Sequence, residues 1–155
     1  MLLRLLIFTV LLSGAQVSAA QSLKDRLNNA FGRTSAADEI LDPEMAFGFE
    51  ARASGPESVR LQWRIEDGYY LYRDKFKVAV TEGQVQIDPA ALAVPAGKMK
   101  QDPSFGAVEI NTGNLAFELP VQRLDSAESP LTLQVRYQGC KEDSICYPPI
   151  SKQVS

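Results

Sequence analysis

From residue 42 onward, apolar and polar side chains alternate with a period of two. In SVRLQWRI, Val59, Leu61, Trp63 and Ile65 fall on one side and Arg60, Gln62 and Arg64 on the other. Successive side chains of a strand point to opposite faces, so this pattern predicts a strand with one buried and one wet face. It recurs in MAFGFEA (Met45, Phe47, Phe49), FKVAV (Phe76, Val78, Val80), VQI (Val85, Ile87), LAFEL (Leu115, Phe117, Leu119) and LTLQVRY (Leu131, Leu133, Val135, Tyr137). GYYLY differs in carrying large groups on both faces, Tyr70 and Tyr72 on one and Tyr69 and Leu71 on the other. One of those faces must be core.

Turn formers separate the runs: Ser54-Gly55-Pro56, Asp67-Gly68, Glu82-Gly83, Asp88-Pro89, Asp102-Pro103, Thr112-Gly113-Asn114 and Ser129-Pro130. Short strands punctuated in this way predict an all-β fold, an antiparallel β-sandwich over residues 41–155. No internal repeat or linker divides it.

The N-terminal stretch has another character. Residues 1–19 hold one early cation, Arg4, an apolar run over residues 5–12 and small residues towards Ala19 and Ala20, the pattern of a cleaved signal peptide. The run is shorter than the roughly 20 apolar residues that a helix needs to cross a bilayer. Residues 20–40 read either as a short helix, with Ser22 as N-cap and Gly32 just past its end, or as a tail.

Charge and composition narrow the partners. With 16 Lys and Arg against 19 Asp and Glu, the chain carries a net charge of −3, and it has no basic block to neutralise phosphates or to sit on anionic lipid. Nucleic acid and membrane surfaces are therefore not expected as partners, and after cleavage the chain has no segment for membrane insertion. The sequence contains no histidine, so Ser-His-Asp and Cys-His catalysis and histidine-bound zinc are excluded.

Both cysteines lie in YQGCKEDSICYPP, with five residues between them. Export places them where a disulfide is the default for neighbouring thiols. In an antibody-type domain the bridge joins cysteines far apart in sequence; here it would be local. A loop this short gains only about 2 kcal/mol from closure in the chain-entropy model, and Gly139 and the two prolines place the pair at the mouth of a hairpin, where a thiolate could reach a sulfur. On the residues alone both an inert staple and an exchanging couple remain open.

YQGCKEDSICYPP together with DGYYLYRDKF resembles the N-terminal periplasmic domain of the DsbD family of thiol:disulfide interchange proteins, over roughly residues 40–155. The resemblance implies an immunoglobulin-like sandwich in which Cys140 and Cys146 shuttle between dithiol and disulfide, Cys146 attacking the partner and Cys140 resolving the mixed disulfide. It implies a protein-disulfide reductase with no bound cofactor, the electrons travelling in the sulfurs. Expected partners are thioredoxin-like periplasmic proteins, namely disulfide isomerases and cytochrome-maturation factors, and the reducing thioredoxin-like domain of the same system.

DPSFG, residues 102–106, matches the family's cap loop, which makes Asp102 and Phe105 cap residues by resemblance; the alternative is a plain Asp-Pro turn with Phe105 in the core. Tyr70, Tyr72 and Tyr147 are expected to line the sulfurs. Lys141 is the nearest cation in sequence, but Glu142 and Asp143 oppose a negative sulfur, so no strongly acidic thiol is expected. Family proteins continue into a membrane portion and a further domain, so this chain is either a fragment or a stand-alone version. The rival reading is a non-enzymatic secreted β-sandwich that binds a partner through its tyrosines, with Cys140–Cys146 as an inert bridge.

Overall fold

The computed structural model describes residues 39–124 and 130–155. The expected signal peptide lies outside them, as does the helix or tail expected at residues 20–40 apart from its last two residues. Chain entry is a single helical turn, α1 (Pro43–Ala46): Asp42 caps it by accepting from the Glu44 N–H at 2.9 Å, and Pro43 supplies the preset φ of a first helical position. This corrects the expected sharing of one strand face by Met45, Phe47 and Phe49. Met45 is in the helical turn and 62% exposed, because the cap and proline start a helix where the alternation alone suggests a strand.

The described residues then form twelve strands. β1 (Phe47–Gly55) and β2 (Ser58–Ile65) are an antiparallel pair, with β8 (Asn114–Pro120) on the other side of β2. Facing this sheet are β4 (Lys77–Glu82), β10 (Thr132–Tyr137) and β12 (Ile150–Val154), ordered β12-β10-β4. Further strands, β11 (Gly139–Lys141), β3 (Tyr69–Tyr72), β7 (Gly106–Asn111) and β6 (Lys98–Asp102), form a four-stranded sheet ordered β11-β3-β7-β6. β5 (Val85–Gln86) and β9 (Gln122–Arg123) close one side.

Aromatic rings fill the space between the layers. Trp63, 2% exposed, stacks on Phe117 at 5.4 Å between centroids and meets Phe76, Tyr137 and Phe49 at 4.9, 5.5 and 4.7 Å. Leu61, Leu119 and Val135 are wholly buried with it. The wet side of β2 carries Arg60 and Arg64, so the period-two reading of this strand holds residue by residue. An antiparallel sandwich results, as the alternation predicts.

Two strands break to make room for a site. β3 and β4 are separated by a 3-10 turn at Arg73–Lys75, and β10 and β11 by Gln138, whose carbonyl accepts from the Tyr72 N–H at 3.0 Å. These breaks let β3 and β11 pass from the core sheet to the rim.

Candidate functional site at the rim disulfide

All four residues of β3 are buried, although they point to two faces. Tyr69 and Leu71 join the main core, whereas Tyr70 and Tyr72 form a second cluster with Ile110 and Cys140. β11 pairs with β3 in the register Gly139↔Leu71, Cys140↔Tyr70 and Lys141↔Tyr69. That approach requires glycine at 139: a Cβ there would sit 2.3 Å from the Tyr70 carbonyl oxygen and 2.8 Å from Phe47 Cζ. Beyond Cys140 the chain turns tightly, Lys141 N–H donating to the Ile145 carbonyl at 2.8 Å, and residue 146 returns opposite residue 140.

Cys140 and Cys146 are joined in a disulfide inside this one hairpin. Their environments differ sharply: Cys140 is 1% exposed, while Cys146 lies on the surface. The residues between them, apart from half-buried Lys141, are exposed, as the polarity of Glu142, Asp143 and Ser144 suggests, and apolar Ile145 is exposed with them. A nucleophile arriving from solvent therefore meets Cys146 first.

Asp102 ends β6 and is 6% exposed. One carboxylate oxygen, Oδ1, accepts from the N–H groups of Ser104 (2.8 Å) and Phe105 (3.0 Å), folding residues 102–106 into a turn that Gly106 completes at φ 73°. The other, Oδ2, accepts from the Tyr72 hydroxyl at 2.5 Å and the Tyr70 hydroxyl at 3.2 Å. The Tyr72 oxygen also lies 3.0 Å from Cys140 Sγ and 3.6 Å from Cys146 Sγ. A phenol has one proton, and the short bond to an anion takes it; the phenol oxygen thus turns its lone pairs to the sulfurs.

The electrostatics follow from this packing. Hydrogen bonds, the one from Tyr72 foremost, hold the Asp102 carboxyl below the usual carboxylate range against the opposing effect of burial. Burial, reinforced by the same carboxylate, pushes Tyr72 far above the ordinary phenol value, and Tyr70 is raised for the same first reason. Both phenols therefore stay protonated at neutral pH. Ligand atoms of Asp102, Cys140 and Cys146 all lie within 4.8 Å of one another. As they stand, the sulfurs are bonded to each other and four donors fill the carboxylate.

Phe105 is 46% exposed and meets Tyr72 edge to face at 5.2 Å. The Asp-Pro turn is present, but its ring is outside the core. Tyr147 is the residue that the structure does not bring to the sulfurs. Its ring packs in the core against Phe47 at 5.4 Å, and its hydroxyl donates to the Leu41 carbonyl at 2.5 Å. The expectation is corrected by alternation: the neighbour of Cys146 along an extended chain points to the other face.

Two cations that sequence reasoning did not single out flank the site. Lys75 Nζ stands 4.8 Å from the Phe105 ring centroid, and Lys100 Nζ stands 5.2 Å from that of Tyr70 while pairing with Glu142 at 2.9 Å. Lys100 shares a face of β6 with Asp102, two residues on, and that spacing was the available signal. Lys75 had none, because its partner is 30 residues away in another turn. A separate hollow of about 420 Å³, lined by Arg73, Phe76, Leu92, Val94 and Val108 among others, includes neither cysteine.

An antiparallel sandwich of immunoglobulin type, with a disulfide at its rim between one buried and one exposed cysteine, is the class that this geometry defines. Residues 37–155 match the family model described as the N-terminal domain of thiol:disulfide interchange protein DsbD, and the chain belongs to that family. It is 37% identical over 118 residues to the thiol:disulfide interchange protein DsbD of Ralstonia nicotianae, covering 76% of this chain and 19% of that protein. To DsbD 1 of Pseudomonas aeruginosa it is 32% identical over 151 residues, 97% of this chain and 25% of the relative. The chain thus spans a quarter or less of those two relatives' length. Among solved structures it is similar to the Neisseria meningitidis DsbD N-terminal domain in the reduced form, with TM-score 0.61 and 29% identity over 77% of this chain and 91% of that one. It is also similar, with TM-score 0.56 and 27% identity over 74% and 85%, to a chain from the complex between the DsbD and PilB N-terminal domains of the same organism. Among the described residues no helix is long and apolar enough to cross a membrane.

Proposed function

We propose that this chain is a periplasmic exchange module that reduces disulfides of thioredoxin-like proteins, acting as a protein-disulfide reductase within a larger electron-carrying system. The observation that carries the reading is the asymmetry of the pair: an exposed residue, Cys146, bonded to buried Cys140 beside Tyr72 and Asp102. In the dithiol state the Cys146 thiolate attacks one sulfur of the partner disulfide. That S–S bond breaks, its other sulfur leaves as a thiolate, and a Cys146–partner mixed disulfide forms. Cys140 then gives up its proton and attacks Cys146 Sγ; the Cys146–partner bond breaks and the partner's second sulfur leaves as a thiolate. The two protons released by the cysteines pass to the partner's sulfurs to give a dithiol, and the Cys140–Cys146 bond is restored. Two electrons have passed to the partner, and no bound cofactor enters the balance.

The surroundings favour slow reaction until docking. A thiol on Cys140 would donate to the Tyr72 oxygen, whose own proton is committed to Asp102, and the nearby carboxylate disfavours a second negative charge. Both effects disfavour a Cys140 thiolate until a partner docks. Phe105, in the turn at residues 102–106, acts as a cap over the Tyr72 and sulfur cluster. Proposed partners are periplasmic disulfide isomerases and cytochrome-maturation thioredoxins on the oxidised side and a reducing thioredoxin-like domain on the other; the DsbD–PilB complex among the relatives supports docking to another protein domain.

Trapping tests the reading. A Cys140→Ala variant leaves Cys146 free and is expected to accumulate a mixed disulfide with an oxidised thioredoxin-like partner, whereas Cys146→Ala accumulates none. Identical behaviour of the two variants overturns the roles. An equilibrium potential below about −300 mV would favour the inert bridge of the rival reading.

A further inference from the structure

The cap reading leaves open what holds the turn at residues 102–106 shut, and the inference below rests on that reading. Phe105 is nearly half exposed, yet two groups of one short segment hold its ring. Tyr72 ends β3 and meets it edge to face, and Lys75, three residues on, stands at 4.8 Å from its centroid. The segment between them is anchored elsewhere. Arg73 donates from Nε and from one terminal nitrogen to the Val94 carbonyl at 3.1 and 3.0 Å, and from the other terminal nitrogen to Glu109 at 3.0 Å. The Lys75 side chain is 31% exposed, and its ammonium also donates to Asp74 at 2.9 Å. An ammonium has three donors, so this ion pair leaves it free to face the negative π cloud of the ring.

We infer that Lys75 is the latch of the cap, a positioning residue whose ammonium holds the Phe105 ring against Tyr72, the phenol beside both sulfurs, and so sets the fraction of time for which the cap stands open. It touches neither sulfur and exchanges no bond. Because Arg73 pins the turn that carries Lys75, an outward swing of Phe105 takes the ring away from the base of the Lys75 side chain and works against the contact. An exposed cation–π contact of this kind shifts the open-to-closed ratio about two- to fivefold.

A double-mutant cycle tests this with the second-order rate of reduction of Cys140–Cys146 by dithiothreitol, at pH 7 and low salt, without a protein partner. Lys75→Met is expected to react two- to fivefold faster than the parent, and Lys75→Arg, which keeps the cation, to react like it. Loss of a positive charge alone would slow attack by an anionic thiolate, so acceleration has the sign of latch release. Phe105→Ala should be fast by itself, and adding Lys75→Met to it should change nothing more. An equal effect of Lys75→Met with and without Phe105, or no acceleration, overturns the latch. An unchanged rate in Phe105→Ala overturns cap and latch together. Exchange with proteins is read separately by the Cys140→Ala trap, which survives failure of the latch.

Discussion

β3 presents four buried side chains to two surroundings, and the contrast between its faces separates stability from chemistry. On the core face, Tyr69 accepts from the Leu41 N–H at 2.9 Å and Tyr147 donates to the Leu41 carbonyl, so two phenols supply the pairing that a neighbouring strand would give to one entering residue. On the rim face, Tyr70 and Tyr72 are as buried as Tyr69, but their hydroxyls meet a carboxylate and two sulfurs. Burial and residue type are the same on both sides. What differs is whether the partner is a fixed backbone group or an atom that can change its bonding, and only the second makes a site.

The largest predicted effect tests whether the faces can be separated. Trp63→Ala removes the ring at the centre of the core and should cost about 3–5 kcal/mol in urea unfolding. Molecules still folded should keep the parent rate of disulfide exchange. A fall in that rate per folded molecule would show that core packing sets the sulfur geometry directly.

Gly139→Ala attacks the seam between the faces. Its Cβ would enter the space of the Tyr70 carbonyl and the Phe47 ring, so β11 must move away from β3. A loss of about 1–3 kcal/mol is expected from the forced shift, and, unlike Trp63→Ala, the variant should alter the exchange rate of the folded protein. Stability and exchange that both match the parent would mean that the hairpin accommodates the methyl group without moving Cys140.

How far each face could be read from sequence follows the same division. The core strands were legible because a sheet with one wet face writes itself as alternation, clearest in residues 58–65. β6 and β7 were not: KMKQD has no apolar period, since Met99 is exposed and the buried position belongs to Asp102, a charged residue whose burial depends on donors from β3 and its own turn. Alternation put Tyr70 and Tyr72 on one face, but Asp102, Phe105 and the site role of the two tyrosines entered through resemblance to a family, because the contacts between β3 and residues 102–106 span 30 residues or more. Tyr147 was misplaced by sequence proximity to Cys146, where alternation would have sent it to the core.

Asp102→Asn is the next step down in size and acts on the rim alone. The variant removes the anion that receives the Tyr72 proton, leaving a buried hydroxyl poorly paired, at a cost of about 1–2 kcal/mol at neutral pH. Its signature is in acid. The folded protein holds this carboxyl below its usual value of 3.8, so the unfolded chain binds the proton more readily, and stability rises with pH across that window. The contribution is present above the unfolded value and is lost as pH falls through the folded one. Urea midpoints measured from pH 5 downward should therefore fall more steeply for the parent than for Asp102→Asn. Parallel curves would remove Asp102 from the charge balance of the site.

The smallest effects give the sharpest comparison, because they alter one oxygen on each face. Tyr69→Phe deletes the acceptor for the Leu41 N–H, and Tyr72→Phe deletes the donor to Asp102 and the oxygen beside Cys140. Each should cost about 1 kcal/mol of stability, the ordinary net worth of one hydrogen bond. Their chemistry should part company. Without the Tyr72 oxygen a Cys140 thiol loses its acceptor, so the pH dependence of Cys140 alkylation in a reduced Cys146→Ala background should shift, while Tyr69→Phe leaves that profile where it was. Equal profiles for the two variants would mean that the phenol at 3.0 Å from the sulfur packs against it without influencing its proton, and the distinction between the faces would then rest on the cysteines alone.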